Sequence, residues 1–503
     1  MKTEKIDVAI IGAGLSGVGA AVHLGKHCPN KTVALFEGRK AMGGTWDLFR
    51  YPGIRSDSDM YTLGYNFKPW TNPKAIADGE SIREYIHETA REYGVDKKIR
   101  YEHKVISANW DSNKGRWTLK MKRGEKGETV LVESQFVICA SGYYNYDQGY
   151  TPEFAGREDF KGPVIHPQHW PEDLDYTGKK VVVIGSGATA VTLVPAMTDK
   201  AAHVTMLQRS PSYVAAVPEK DVISNKLRQF LPESTVYHMA RARNVLFSMG
   251  IYNASKRWPD RMRELLLGQV KKQVGDKVDM KHFTPRYNPW DERLCAVPDG
   301  DMFKRLRDGS ASVVTDQIER FDETGIQLKS GEHLDADIII TATGLQVQLL
   351  GGMDVTLDGE TLDPSTKLYY KGAMVEDVPN VAMVFGYTNS SWTLKADLIC
   401  EYFCKVINHM DEHGWQVATP RNHDPDMPKE PFLNMSSGYI QRALHMVPQQ
   451  GGEKPWKLYQ NFIKDFAQFK FTRVDDKALV FSNPVSHGYG YGLDKDPALA
   501  AVN

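Results

Sequence analysis

Cysteine is scarce in this sequence: five in 503 residues, Cys28, Cys139, Cys295, Cys400 and Cys404, with no C-x-x-C pair. An odd number at scattered spacing argues against a disulfide framework, and without C-x-x-C there is no redox dithiol, so reduced intracellular thiols are expected. Cys400 and Cys404 can share a helix face, but that pair alone predicts no metal site. Long apolar runs are missing too. The nearest approach to the roughly 18 residues of a spanning helix, VVVIGSGATAVTLVPAM, is broken by glycines and a proline. MKTEKIDVAIIGAG passes from charges straight into a strand pattern with no small-residue cleavage site, which predicts a cytoplasmic chain without an integral membrane segment. Charge of one sign is absent: 62 basic against 63 acidic residues leave a net charge of -1, without the basic field of a nucleic-acid binder. No low-complexity segment and no sign of a protein partner appears. At roughly 150 residues per domain, the length makes about three domains or two large ones.

What is present begins with a strand pattern, Asp7-Val8-Ala9-Ile10-Ile11, a glycine turn, Gly12-Ala13-Gly14-Leu15-Ser16-Gly17, and the helical run VGAAVHLGKH. This is the order of a dinucleotide-binding unit. Gly12 permits the tight turn, Gly14 lets a pyrophosphate approach the backbone, and Gly17 lets the helix pack on the strand, while the helix N-terminus offers N–H groups to the phosphates. A following strand pattern, TVALFE, ends in Glu37, where a carboxylate accepts hydrogen bonds from ribose hydroxyls.

A second copy follows. Lys180-Val181-Val182-Val183-Ile184 leads into Gly185-Ser186-Gly187-Ala188-Thr189-Ala190, with alanine in the third place, as the motif tolerates. Its next strand, HVTMLQRS, ends in Gln208-Arg209-Ser210, so a guanidinium stands where the first copy has its glutamate. Arginine there suits a 2′-phosphate through paired N–H donors; an ordinary surface arginine is the alternative, because the motif alone does not decide NAD from NADP. FAD in the first site and NADPH in the second are expected. Hydride transfer to a flavin with no dithiol to take the electrons onward leaves oxygen as the acceptor.

The expected fold is α/β, with two Rossmann-like dinucleotide-binding domains, for FAD and NADPH, and a helical insertion in the NADPH domain. Residues 1–145 and 336–503 are assigned to the FAD domain and 146–335 to the NADPH domain, with a linker region at 143–178. The apolar strands at 136–142 and 337–344, both ending in small residues, read as the places where the chain leaves and re-enters the FAD domain. Residues 218–290 carry helical periodicity, with Met262, Leu265, Leu266, Val270 and Val274 on one face. The basic residues there, Arg257, Arg261, Arg263, Lys271 and Lys272, read as a solvated face, with a membrane-surface patch as the alternative. Segments 396–415 and 455–470 read as helices packing on the FAD domain.

Between the fingerprints stands Phe160-Lys161-Gly162-Pro163-Val164-Ile165-His166-Pro167-Gln168-His169-Trp170-Pro171, which fits F-x-G-x-x-x-H-x-x-x-W-P. Gly43, Gly44, Trp46, Tyr51, Pro52, Gly53 and Asp57 fit [AG]-G-x-W-x-x-x-x-[FY]-P-G-x-x-x-D. In these motifs the sequence resembles the type I Baeyer–Villiger monooxygenases, class B flavoprotein monooxygenases, over essentially its whole length. YNPWDERLCAVPDGD (287–301) and NMSSGYI (434–440) look closest to the ethionamide-activating branch of that family.

The resemblance implies an enzyme that uses NADPH and O2 to insert one oxygen next to a ketone carbonyl through a C4a-peroxyflavin, giving an ester or lactone, with sulfoxidation as a side activity. It places the active-site arginine at Arg293 and its orienting carboxylate at Asp57. A guanidinium is wanted there because it favours the anionic peroxide and stabilises the oxyanion of the adduct. By the same matching, Ser16 approaches the FAD pyrophosphate, Thr45 and Trp46 the flavin, Val105 the adenine, and Arg55 and Ser56 the nicotinamide cofactor. Trp392, Thr393 and Leu394 resemble the helix start near the isoalloxazine. His166 reads as a linker residue coupling domain rotation, since an adduct held by arginine needs no general base. One departure stands out: Glu292 occupies the place directly before Arg293 where many ketone-oxidising relatives carry lysine, which leaves more of the 2′-phosphate to Arg209. Ser436, Ser437 and Tyr439 are candidate pocket residues. The competing expectation is a flavin-dependent S- or N-monooxygenase using the protonated hydroperoxyflavin, with no need of Arg293.

Overall fold

Val8 and Ile10 alternate with Ala9 and Ile11, so a strand built from them presents apolar side chains on both faces and belongs inside a sheet covered on both sides. In the computed structural model, which describes residues 3–292, 294–432 and 437–484, this strand, Glu4–Ile11, lies deep in a nine-stranded sheet. It pairs in parallel with Val33–Phe36 on one side and Glu128–Cys139 on the other, Val8 facing Val33 and Phe136. Beyond Glu128–Cys139 the sheet turns antiparallel through Arg116–Arg123 and His103–Asp111, and Val381–Met383 adds a parallel partner to Glu128–Cys139. Val8 and Ile10 enter a core shared with helices Leu15–His27 and Trp392–His413, while Ala9 and Ile11 enter the opposite core with Trp117, Leu119 and Val137.

A second, five-stranded sheet is parallel throughout, in the order Ala311–Thr315, His203–Gln208, Lys180–Ile184, Ile338–Thr341, Val164–Ile165. Here too the central run divides by alternation, Val181 and Val183 into one core, Val182 and Ile184 into the other. The strand expected to return the chain to the FAD domain is therefore part of the second sheet: Ile340 pairs with Val183, and the return comes only after Gly344 rather than at residue 336. The two look-alike strands have the same ending because each closes its own glycine turn. A Cβ on Gly12 would lie 2.7 Å from the Ala140 carbonyl oxygen, and one on Gly185 would lie 2.3 Å from that of Ala342, so each turn needs its glycine against the backbone at the end of its own neighbouring strand. The linker expectation is also modified, since Val164–Ile165 forms the edge of the second sheet, and Tyr144–Gly149 pairs antiparallel with Leu345–Val347, lacing the outgoing and returning crossings together.

The stretch at 218–290 folds mainly as helices Val222–Leu227, Glu233–Arg257 and Pro259–Val274. Leu266, Val270 and Val274 are buried as expected, but Leu265 is 52% exposed. Adjacent helical residues point about 100° apart, so Leu265 and Leu266 cannot both face the same core. Near the C-terminus, Phe462–Phe471 starts where Asn461 accepts a hydrogen bond from the Lys464 backbone N–H at 3.0 Å, and 455–461 is not helical. No helix among the described residues is long and apolar enough to cross a membrane.

Candidate active site

Each glycine turn runs into a helix whose first N–H groups no side chain caps: Gly14 precedes Leu15–His27 and Gly187 precedes Ala188–Met197. Uncapped N–H groups and the helix dipole form an anion site. The glycines divide the work. A Cβ on Gly17 would stand 1.9 Å from the Gly12 carbonyl oxygen, so this position serves helix packing; one on Gly187 would meet nothing within 4 Å, leaving open space over the second helix start.

The first turn opens into a cavity of about 470 Å³. Its wall carries Gly12, Gly14, Ser16, Glu37, Thr45, Trp46, Val105, Arg55, Ser56 and Asp57, together with Ala188 and Thr189 from the second fingerprint. Gly17, Gly185, Ser186, Gly187, Gln208 and Arg209 do not line it. Glu37 is buried at its edge, accepting the Ala13 and Arg39 backbone N–H groups at 2.9 Å each. Burial pushes its carboxyl up from the usual range while those two hydrogen bonds pull it down. Two carboxylate oxygens have more lone pairs than these bonds use, leaving acceptors for a ribose diol. Val105 sits at a β-bulge, where the ladder between His103–Asp111 and Arg116–Arg123 shifts register. Ser16 Oγ accepts the Trp392 indole N–H at 2.7 Å, and that ring stacks on Tyr143 at 5.2 Å and 13°. Thr45 pairs with the Tyr146 hydroxyl at 3.2 Å. Thr393 and Leu394 lie behind the wall: the Thr393 hydroxyl is held by the Thr62 and Leu63 carbonyls, and Leu394 is buried.

The segment from Gly43 to Asp57 is a wedge between the two units. Phe49 and Tyr51 are buried in the core of the second sheet, and the Tyr51 hydroxyl, pushed up by burial, pairs with the Thr189 side chain. Gly53, at φ +76°, packs so closely on the second-fingerprint helix that a Cβ would come within 2.6 Å of Ala196 Cβ. Arg55 reaches across to Asp301, Nη1 to Oδ2 at 2.5 Å. The Ser56 hydroxyl closes a local turn, donating to the Ser58 carbonyl at 2.7 Å and accepting its N–H at 3.0 Å. Asp57 is exposed on the cavity wall. Its expected partner Arg293 lies outside the described residues, as does Ser436; Ser437 and Tyr439 are described but do not line the cavity.

At the second site one expectation is overturned. Gln208 is buried, its amide donating to the His282 carbonyl at 2.7 Å and to Thr315 Oγ1 at 2.9 Å, so this side chain braces the sheet and does not face a nucleotide. Strand alternation turns its neighbour Arg209 outward into solvent. Glu292, raised by burial, feels the Arg209 charge as its main opposing influence, so an acid stands close to the arginine expected to hold a 2′-phosphate. Ser186 Oγ is engaged with the Ser210 carbonyl at 3.1 Å and Ser212 Oγ at 3.0 Å. His166 bonds the Gly344 carbonyl through Nε2 at 3.0 Å, and its Nδ1 accepts the Gln168 N–H at 3.2 Å. It joins the two crossings, away from the cavity.

Sequence reading missed Arg39, Asp47, Tyr146 and Asp301. Asp47 is buried between Arg39 and Arg50, each at 2.8 Å, and Arg39 also reaches the Gly44 carbonyl at 3.3 Å, bracing the turn beside the first fingerprint. Two of them carried a local signal, Arg39 two places after Glu37 and Asp47 directly after Thr45-Trp46; Tyr146 and Asp301 come from distant segments and carried none.

Comparison with known proteins agrees with this geometry. Residues 67–349 match the family described as Flavin-binding monooxygenase-like, and residues 10–71 match the NAD(P)-binding Rossmann-like domain. The chain is 53% identical over 482 residues to the FAD-containing monooxygenase EthA of Mycobacterium tuberculosis (strain ATCC 25618 / H37Rv), covering 95% of this chain and 98% of that protein. It is 52% identical over 480 residues to the probable FAD-binding monooxygenase AlmA of Acinetobacter baylyi, covering 95% and 96%. In fold it resembles an open crystal structure of cyclohexanone monooxygenase (TM-score 0.75, 18% identity, 96% and 100% covered). An oxidized steroid monooxygenase bound to NADP is similar as well (TM-score 0.73, 22% identity, 95% and 100% covered). The chain therefore belongs to the flavin-binding monooxygenase-like family and is an enzyme of the class B flavoprotein monooxygenase type.

Proposed function

We propose that the enzyme binds FAD at the first fingerprint and NADPH at the second, and inserts one oxygen from O2 next to a ketone carbonyl, giving an ester or lactone, with sulfoxidation as a side activity. The observation that carries this reading is the shared cavity: Ala188 and Thr189, at the start of the second-fingerprint helix, line the same 470 Å³ space as Gly12, Gly14 and Glu37. The residues present fit FAD. An uncapped helix N-terminus faces the pyrophosphate position, the closest atom to a Cβ on Gly14 would be Gly44 Cα at 3.3 Å, and Glu37 stands at the ribose end.

Bound flavin supplies the site of oxygen activation, and NADPH the hydride that reduces it. The chain's own residues do the rest. Glu37 accepts the ribose hydroxyls, Thr45 and Trp46 border the flavin, and Ser16, fixed by Trp392, lines the phosphate path. Arg55 and Ser56 meet the nicotinamide side, where the Arg55–Asp301 pair ties the two units together. Arg293, with Asp57 as the orienting carboxylate that the family resemblance implies, would stabilise the oxyanion formed at the carbonyl, a role for a cation in a site that excludes water.

A second reading, heteroatom oxygenation as the main task, is favoured by Glu292: an acid beside Arg293 weakens the positive field that ketone oxidation needs and sulfur oxidation does not. Replacing Arg293 by Ala separates the two. Ester formation from a ketone is expected to vanish while flavin content and NADPH oxidation persist; turnover of ketone by the variant at the parent rate would overturn the proposal.

A further inference from the structure

Exposed large apolar side chains are normal when scattered and informative when clustered. Among the described residues, eight of the twelve fall between 222 and 265: Val222, Ile223, Phe230, Met239, Leu246, Phe247, Trp258 and Leu265. Phe230 is 81% exposed and Phe247 68%. Three of the other four, Ile463, Phe466 and Phe471, lie on the adjoining helix Phe462–Phe471, whose Phe462 packs against the Val245 and Met249 cluster. The patch thus continues from one helix to the next.

Helix Glu233–Arg257 carries apolar side chains at packed and at exposed positions. Its inner face buries Val236, Tyr237, Ala240 and Val245, and Arg241 there donates to the Tyr61 and Gly64 carbonyls at 2.9 and 2.8 Å. Met239, Leu246 and Phe247 of the same helix are exposed.

The charge of the region identifies the cover. Residues 222–272 hold ten Lys and Arg against three Asp and Glu, in a chain whose net charge is -1. Lys226, Arg257, Arg261 and Lys272 are exposed and make no ion pair among the described residues. A second copy of this face would bring like charge against like charge, since a two-fold interface places the same patch on both sides. Exposed aromatic and aliphatic side chains in a segment rich in exposed Lys and Arg match an anionic lipid surface.

We propose that helices Val222–Leu227, Glu233–Arg257 and Phe462–Phe471 form a peripheral docking face for anionic membranes. The protein lies on the bilayer and does not cross it. The solvated reading of the basic residues is then incomplete: they flank apolar side chains that the sequence pattern alone left unplaced. The docked helix is also the one that grips residues 61–64, the segment carrying Leu63 of the cavity wall, so the catalytic cavity is braced from the membrane side. This inference does not depend on which substrate is oxidised.

The test is flotation of the flavin-loaded enzyme with vesicles of equal parts phosphatidylglycerol and phosphatidylcholine, beside vesicles of phosphatidylcholine alone. The parent enzyme is expected to float with the anionic vesicles, to bind neutral ones several-fold less, and to be released as salt shortens the screening length. The double variant Phe230→Ser with Phe247→Ser, with unchanged flavin content and melting temperature, is expected to lose about tenfold in the bound fraction. A double variant of Arg257→Glu with Arg261→Glu is expected to lose the preference for anionic vesicles. Failure of the parent to float at low salt, or flotation unaffected by either double variant, overturns the proposal. So does a dimer in sedimentation velocity that Phe230→Ser with Phe247→Ser dissolves while vesicles are ignored, which would assign the face to a second copy of the chain.

Discussion

Gly17→Ala sets the geometry of the first fingerprint against a control in the same molecule. A Cβ at Gly17 would stand 1.9 Å from the Gly12 carbonyl oxygen and 2.9 Å from its carbon, both backbone atoms that no rotamer can move aside. Restoring an ordinary contact requires the helix start to retreat by roughly 1 Å, and forcing an extra carbon into packed surroundings costs about 1–3 kcal/mol. For a domain of this size each kcal/mol lowers the melting temperature by about 2–4 °C, and the retreat also moves the N–H groups proposed to hold the pyrophosphate. The expected result is a fall of several degrees and loss of most bound flavin, read from absorbance per chain and from thermal melting followed by flavin fluorescence. Gly187→Ala is the control, because its Cβ meets nothing within 4 Å and its φ of -84° suits alanine. It should leave flavin and melting unchanged while crowding the second phosphate site, raising KM for NADPH by about tenfold. The second copy already carries Ala190 in the third place, and that methyl is fully buried. A Gly17→Ala protein with full flavin and a melting temperature within about 1 °C of the parent would refute this reasoning.

Replacing Arg209 with Ala should raise KM for NADPH much more than for NADH, and Glu292→Gln should lower KM for NADPH by removing the opposing charge; steady-state kinetics with both cofactors checks it, and equal effects on the two would refute the 2′-phosphate role. Asp465→Ala leaves the buried Lys395 ammonium, 2.7 Å from that carboxylate, without its counter-charge, and urea unfolding should register about 3–5 kcal/mol of lost stability; a loss under about 1 kcal/mol would mean that the ammonium finds water. Burial, with His169 adding the same sign and the bond to the Gly344 carbonyl opposing it, holds His166 below its ordinary 6.5, so the buried neutral ring contributes stability in full above that value and loses it as pH falls through the lowered pKa. His166→Ala should therefore flatten the acid limb of a stability-against-pH curve, and an unchanged slope would exclude His166 as its source.

Local spacing made much of the site legible. Glycines at fixed offsets after a strand, and an acid at the end of the next one, are constraints that act over twenty or so residues, and Gly12, Gly14 and Glu37 all line one cavity. Gln208 failed because a strand end alternates its side chains, and which of two neighbours turns inward depends on Thr315 and the His282 carbonyl, more than 70 residues away. The strand Ile338–Thr341 failed because its small-residue ending reports contact with a glycine turn without saying which of the two turns.

By itself the sequence determined the two nucleotide units, their glycine turns, the likeness to a monooxygenase family and the helical character of the insertion, since each rests on short-range periodicity or fixed spacing. Tertiary structure alone decided that Phe49 and Tyr51 plug the second unit, that Arg55 is bound to Asp301, that Glu292 stands by Arg209, and that the insertion keeps some apolar side chains exposed while others are buried. Those contacts join segments tens to hundreds of residues apart, where only the packing of one unit against another selects the partners.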